Sequence, residues 1–429
     1  MAAYRQPITR RRFLKGAAAL AAAPYVVTSS ALGADGRPPA SERIVMGAIG
    51  VGGMGIANTR GFLGRDDVQF VAVCDVDEGH REEARQLVDE HYGNADCAAY
   101  VDFRDMLARG DLDAVCTALP DHWHAIPAIA AARAGIDVYG EKPLARSIRE
   151  GRAICDAAER YGCVWQTGSW QRSSADFRRA CELVRNGRLG RVHRVEVGLP
   201  GSPTTEPQPP MPVPEGLDWD LWLGPAAWAP YTELRCHYNW RWIRDYSGGG
   251  LTDWGGHHID IAHWGLGLDL SGPVEVWGEG RYPEDGLYDV PYAYRFACRY
   301  ADGLEMTVAD NGQLDQGTRW HGDRGWLHVA RDRLEAEPAS ILTERIGPGE
   351  VRLYRSDWHQ GNFIECLKSR RQTATPPEVA HRSISVALLG EIAMLTGRRI
   401  RWDPEREEII GDPGAAALLG RSYREPWRL

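Results

Sequence analysis

Three side chains in this sequence could together take a proton from a hydroxyl and steady the oxygen left behind. Lys142 lies in Val138-Tyr-Gly-Glu-Lys-Pro143, and Asp253 and His257 lie in Asp253-Trp-Gly-Gly-His-His-Ile-Asp260. A lysine at the C-terminal lip of a parallel strand faces the crevice where such sheets hold ligands. Its ammonium can position a substrate oxygen and stabilise a developing alkoxide. Asp253, His257 and Asp260 stand at i, i+4 and i+7, so a helix beginning near Leu251 presents them on one face. An acid one turn before a histidine orients the imidazole and raises its pKa, which suits His257 to general-base work. Gly255 and Gly256 open the backbone on that face to a ligand. Several His and Asp side chains crowd this stretch, yet their spacing matches no common zinc pattern, so no metal is expected.

The elements that must hold these groups begin with Ile44-Val-Met-Gly-Ala-Ile49, an apolar strand. It runs into Gly50-Val-Gly-Gly-Met-Gly55 and then a helical stretch, which is G-x-G-x-x-G in its required setting. Gly50 permits the tight turn, Gly52 lets backbone approach a pyrophosphate, and Gly55 lets helix and strand pack closely. Gly53 and Met54 fall in the same loop, and the helix start offers free N–H groups to phosphates. Asp75 ends the next strand, twenty residues after Gly55. A carboxylate there accepts from the adenosine ribose and repels a 2'-phosphate, favouring NAD over NADP, unless Arg81 folds back. Further strands end at Leu119-Pro120, with His124 just beyond, and at Glu141-Lys142. Strands alternating with helices predict a doubly wound parallel sheet, and these strand ends line one crevice.

Composition bounds the rest. The 429 residues leave room for two domains, and 43% hydrophobic with 25% charged residues is ordinary for a globular chain. A net charge of -9 argues against nucleic acid as a partner. The nine cysteines include no C-x-x-C and no metal-type spacing. Thr9-Arg-Arg-Arg-Phe-Leu-Lys15 followed by an uncharged stretch to Gly33 reads as an export signal with twin arginines, cleaved near Ala31 to Ala34. Pro24 and Thr28-Ser-Ser30 shorten its apolar run below a membrane span. Removing it takes five basic residues and no acids, moving the net charge from -9 to -14, so no membrane partner is expected after cleavage.

After residue 167 the pattern changes. Seven prolines between Pro200 and Pro214 make an extended loop or arm, and seven of the sixteen tryptophans fall between Trp219 and Trp264. Runs of strands followed by terminal helices predict a mostly antiparallel α+β domain. Arg172, Arg241 and Trp242 are weaker candidates for substrate contacts, for each of which a structural role is the more ordinary reading. The expected organisation is a signal at 1–33, a linker at 34–43, a dinucleotide-binding domain at 44–167, a substrate and oligomerisation domain at 168–375, and a C-terminal helix and tail at 376–429 packing on both.

Taken together, Pro120-Asp-His-Trp-His124, Glu141-Lys142-Pro143 and Gly249-Gly-x-x-Asp253-x-x-x-His257-x-x-Asp260 resemble the glucose–fructose oxidoreductase/inositol dehydrogenase (Gfo/Idh/MocA) family. The resemblance runs from about Ile44 to Leu429, and the twin-arginine leader and Tyr-Arg-Glu-Pro-Trp-Arg-Leu ending are similar to an exported bacterial branch. It implies a Rossmann domain with an open-faced sheet domain, a nicotinamide cofactor that can be tightly bound, and a homodimer or homotetramer. It also implies a sugar, polyol or sugar-derivative substrate and a periplasmic address. Lys142 matches the family's catalytic lysine, and Asp253 and His257 its second catalytic motif. Gly50, Gly52, Gly53, Met54, Gly55, Asp75, Leu119, Pro120, His124, Glu141 and Lys142 are the expected cofactor contacts. Asp121 stands where the family usually has Asn and receives no cofactor role. The reaction implied is hydride transfer between the cofactor and a carbohydrate. Two alternatives use the same residues: an NAD-recycling glycosidase working by oxidation, elimination, hydration and reduction, and a non-catalytic sugar sensor.

Overall fold

Six short stretches form the first sheet, most of them apolar on both sides, as strands buried between two helical layers must be. The computed structural model of the chain describes residues 32–33 and 36–429; the predicted export signal otherwise falls outside the described residues. Residues up to Arg43 form one unit and Ile44–Leu429 another. In the first, a single helical turn at Ala40–Glu42 precedes Arg43, whose Nε donates to the Pro38 carbonyl at 2.7 Å.

In the second unit the strands β1 (Ile44–Ile49), β2 (Val68–Cys74), β3 (Ala98–Tyr100), β4 (Ala114–Thr117), β5 (Asp137–Gly140) and β6 (Trp165–Thr167) pair only in parallel, in the order β3-β2-β1-β4-β5-β6. This is the two-winged order in which the chain reverses direction beside β1, leaving a crevice at the strand C-termini. The helices α1 (Gly53–Leu63), α2 (Glu78–Tyr92), α3 (Phe103–Leu107), α4 (Ala125–Arg133) and α5 (Ile148–Tyr161) connect them. β3 carries no strong alternation and is the strand that sequence patterning passes over.

The remainder builds a nine-stranded sheet from β7 (Val192–Leu199), β8 (Glu275–Arg281), β9 (Ala293–Arg299), β10 (Glu305–Asp310), β11 (Gly317–Gly322), β12 (Gly325–Ala330), β13 (Arg333–Glu337), β14 (Ile400–Asp403) and β15 (Glu408–Ile409). Its order is β13-β12-β11-β7-β10-β9-β8-β14-β15, antiparallel except where β7 and β10 run side by side. Strand alternation sends Val195, Met306, Phe296, Cys298 and Leu327 to the buried face. Arg194, Glu305 and Arg295 point to the other face and stay exposed.

Helices α6 (Ala175–Arg185), α7 (Trp219–Leu223), α8 (Gly250–Leu266), α9 (His359–Ser369), α10 (Pro377–Thr396) and α11 (Pro413–Ala416) complete the unit. α10 is long and apolar enough to span a bilayer, but most of it is buried, and it packs against α8 as a core helix. The C-terminal tail touches residues before and after 168, with Arg424 Nε donating to the Gly224 carbonyl at 3.0 Å. Trp427 packs its ring 4.7 Å from Trp123, and the Tyr423 hydroxyl donates to Glu150 at 2.8 Å.

Candidate active site

The C-terminal ends of β1, β2, β4 and β5 open onto one crevice of about 390 Å³. Gly50, Gly52, Gly53, Met54, Asp75, Leu119, Pro120, Glu141 and Lys142 line it, as do Phe103, Trp123, Tyr238 and Arg241. Gly50 has φ +78°, and a Cβ there would meet the Ala118 carbonyl at 2.6 Å, so no other residue fits. Gly52 caps α1 and offers no side-chain acceptor, which leaves the first-turn N–H groups for a phosphate. Asp75 accepts from the Val51 and Asp77 amides at 2.8 and 2.9 Å, bracing the glycine loop from below. Burial pushes its carboxyl up, and those two amides oppose the shift. Arg81 turns to the Asp75 carbonyl at 2.8 Å. These residues fit a dinucleotide; the Asp75 carboxylate favours one without a 2'-phosphate, and Arg81, folded back onto the same strand end, softens that preference.

Two predicted cofactor contacts do other work. A Cβ at Gly55 would lie 2.1 Å from the Gly50 carbonyl, so Gly55 serves the turn's packing and does not line the crevice. His124 is buried, with Nδ1 2.6 Å from the Pro143 carbonyl and Nε2 2.8 Å from the Leu119 carbonyl. It ties together the two strand ends that do line the crevice, and its ring is spent on that.

Lys142 and Asp253 meet across the fold. Lys142 Nζ donates to Asp253 Oδ1 at 2.6 Å and approaches the Asp253 carbonyl at 3.2 Å. Helix α8 can come this close because Gly256 faces the Lys142–Pro143 segment. A Cβ there would already touch Lys142 Cβ and Pro143 Cα at 3.6 Å, so any larger side chain would push the helix away. The Gly256 carbonyl also accepts from Ser169 Oγ at 3.1 Å. Burial works against charge on Asp253, but Lys142, and Arg241 at 3.6 Å, hold its carboxyl below the usual range.

This pairing corrects the expected Asp253–His257 couple. Among the described residues His257 makes no hydrogen bond to Asp253 or any other group, and its Nδ1 is fully buried. Burial, with Lys142 and Arg331 nearby, pushes the imidazole well below its ordinary pKa instead of raising it. The ring is therefore a neutral base held between Trp254 and Trp170, at centroid distances of 5.8 and 6.4 Å. Asp260 is on the same helix but in a different environment.

Of the three candidate sugar contacts only Arg241 reaches the crevice, packed over Trp240 and Tyr238 at 4.4 and 4.6 Å. Arg172 is buried and bidentate to Asp260 at 2.7 and 2.9 Å, with Asp269 at 2.6 Å, so it is a structural cation. Trp242 does not line the crevice but packs behind its wall, on the aromatic cluster of Trp222 and Tyr246 and with its ring centroid 6.2 Å from that of Tyr238. Asp121 is buried and accepts from Ser247 Oγ at 2.6 Å, away from any cofactor role.

Sequence reading missed Arg331, Trp170, His80 and His237. Arg331 sits in a two-residue turn between β12 and β13, where no local pattern signals a site. His80 and His237 face each other at 4.9 Å across the crevice wall. With Asp77 they bring ligand atoms within 4.8 Å of one another, a set that could share a divalent cation. The same side chains line the dinucleotide crevice, so the two uses compete.

Residues 44–169 match the family described as "Oxidoreductase family, NAD-binding Rossmann fold" of the Gfo/Idh/MocA group. Residues 203–429 match its "Oxidoreductase family, C-terminal alpha/beta domain", and residues 7–24 a twin-arginine translocation signal. Myo-inositol 2-dehydrogenase of Thermotoga maritima is 23% identical over 380 residues, 85% of this chain and 99% of that protein. A "Glycosyl hydrolase family 109 protein" of Shewanella pealeana is 34% identical over 126 residues, and the match spans 27% of that protein's length. The WlbA dehydrogenase from Bordetella pertussis, solved with NADH and UDP-GlcNAcA, has a TM-score of 0.62 at 20% identity, covering 84% of this chain and 99% of that one.

Proposed function

This chain belongs to the Gfo/Idh/MocA family and is an NAD-binding oxidoreductase, and from that premise we propose that it oxidises a hydroxyl of a sugar, polyol or sugar derivative at the Lys142–Asp253–His257 cluster. The carrying observation is that Lys142, which lines the dinucleotide crevice, holds its Nζ 2.6 Å from Asp253 Oδ1. The glycine loop and the free N–H groups of α1 would hold the pyrophosphate, and Asp75 the adenosine ribose. NAD, when bound, supplies the hydride acceptor. Neutral His257 takes the hydroxyl proton through its remaining ring nitrogen. Lys142, aimed by Asp253, donates to the same oxygen as charge develops on it. The indoles of Trp170 and Trp254 offer apolar platforms to a sugar face. The twin-arginine signal supports export, and we place the mature enzyme in the periplasm. Self-association through the helix-free face of the nine-stranded sheet fits its exposed Arg194, Glu305 and Arg295.

The test is NADH formation with a panel of sugars and polyols, alongside aryl glycosides in deuterated water. Simple dehydrogenation accumulates NADH, keeps the aglycone attached and leaves the hydrogen at C2. The second reading, glycoside cleavage by oxidation and elimination, finds support in the partial likeness to the glycosyl hydrolase. It predicts aglycone release without net NADH, and deuterium at C2, because a ketone at C3 acidifies that position. Among the described residues no further base is placed for elimination. The sensor reading loses support from the preserved Lys142–Asp253 pair.

A further inference from the structure

The charges around the cluster do not balance. Lys142 and Arg241 both face Asp253, at 2.6 and 3.6 Å, and they already neutralise it. A third cation, Arg331, reaches in from the turn after β12. Its guanidinium carbon lies 4.6 Å from the centre of the Trp170 ring and 4.5 Å from that of Trp254. These are the two rings that also flank His257. Among the described residues Arg331 makes no hydrogen bond and no ion pair, and its Nε is fully buried without an acceptor. A partly buried guanidinium normally finds a carboxylate, because desolvation without compensation is expensive. Desolvation lowers its pKa, and the fields of Asp253 and of the exposed neighbour Asp332 only partly oppose this. His257, held neutral, offers it no charge.

We propose that Arg331 is the receptor for a carboxylate on the substrate, so that the sugar oxidised here is a sugar acid of the uronate class. The indoles cover the guanidinium's surface, Nε is buried, and the two terminal nitrogens are left to donate. That planar fork matches the two oxygens of a carboxylate. With Lys142 and Arg241 both on Asp253 and Arg331 added, the cluster carries excess positive charge and fits an anionic sugar. Trp170 is 41% exposed beside it, leaving an open ring for the sugar body.

The proposal rests on reading this cluster as the site of sugar oxidation, and it is tested by binding so that the two can fail separately. NAD-loaded enzyme is titrated by calorimetry with D-glucuronate against D-glucose, D-galacturonate against D-galactose, D-mannuronate against D-mannose, and with D-glucose 6-phosphate. At least one uronate should bind about 10- to 100-fold tighter than its neutral partner, the range expected of a charge-assisted pair. Arg331→Gln should bring that ratio to near one, and Arg331→Lys should keep part of it. NAD affinity measured on each variant reports that the fold is intact. The proposal is overturned if no uronate is preferred, if the preference survives Arg331→Gln, or if the phosphate binds more tightly than every uronate. The wild-type comparison decides even where a variant does not fold. A purely structural Arg331 would weaken acid and neutral sugar alike and leave their ratio unchanged. A uronate that binds through Arg331 but yields no NADH would sink the oxidation reading and leave Arg331 standing as the carboxylate receptor.

Discussion

Lys142 and Asp253, 111 residues apart, form a 2.6 Å ion pair that joins the lip of the parallel sheet to the first turn of α8. Both side chains are largely buried, at 12% and 16% exposure, so the pair is shielded from the screening that weakens surface bridges. It leaves His257 one turn further along without a charged partner of its own. The acid aims the lysine, and the histidine stays neutral.

Lys142→Met should lower kcat by about two to four decades while leaving the Kd for NAD within about threefold, since a positioned donor to a developing alkoxide is worth that much. Steady-state kinetics with fluorescence titration of NADH separates the two. A near-normal kcat would remove Lys142 from the chemistry.

Because His257 is pushed below its ordinary range, the base remains neutral as pH falls through 6.5. The acidic limb of kcat/KM should therefore lie below pH 6.5, and His257→Asn should lower activity and abolish that limb. A limb above pH 6.5 would mean that Asp253, not burial and the nearby cations, governs the imidazole.

Asp75→Ala should weaken NAD more than NADP, because it removes both the ribose acceptor and the repulsion of a 2'-phosphate. It also removes the acceptor of the Val51 amide. Equal loss for the two cofactors, measured by titration, would assign Asp75 to bracing the loop alone.

Four buried histidines make the fold acid-sensitive. Burial pushes His258 down to about 3, and His263, His328 and His359 down to about 4. In the unfolded chain they take up protons near the ordinary 6.5, so below that pH the unfolded state binds more protons. Their contribution is fully present above about pH 6.5 and is lost as pH falls towards 4, each at up to about 1.4 kcal/mol per pH unit. Urea midpoints at pH 7.5, 6 and 5 should drop in that order. A flat series would mean that the folded rings accept protons.

Arg172→Met leaves buried Asp260 without a cation beside Asp269 and should cost about 3–5 kcal/mol, as breaking a buried pair does. Reduction of NAD per folded molecule should change little. Selective loss of substrate affinity at unchanged stability would return Arg172 to the sugar site.

The glycine loop, the acid ending β2 and the lysine ending β5 were legible along the chain because each depends on a few consecutive residues. Gly50 needs its positive φ within one turn, and strand alternation is a local period. The same is true of α8, whose three polar residues recur at helical spacing. What the sequence could not determine was which of those residues pair. Asp253 and His257 are neighbours on one helix face, yet the packing of Gly256 on the Lys142–Pro143 segment gives Asp253 to Lys142. Arg172 and Arg331 are both arginines in unremarkable local settings. Only the tertiary structure decides that one is consumed by Asp260 and Asp269 while the other lies against two indoles without a partner. Charge balance in a buried site sums over residues hundreds of positions apart, and no local pattern in the chain carries that sum.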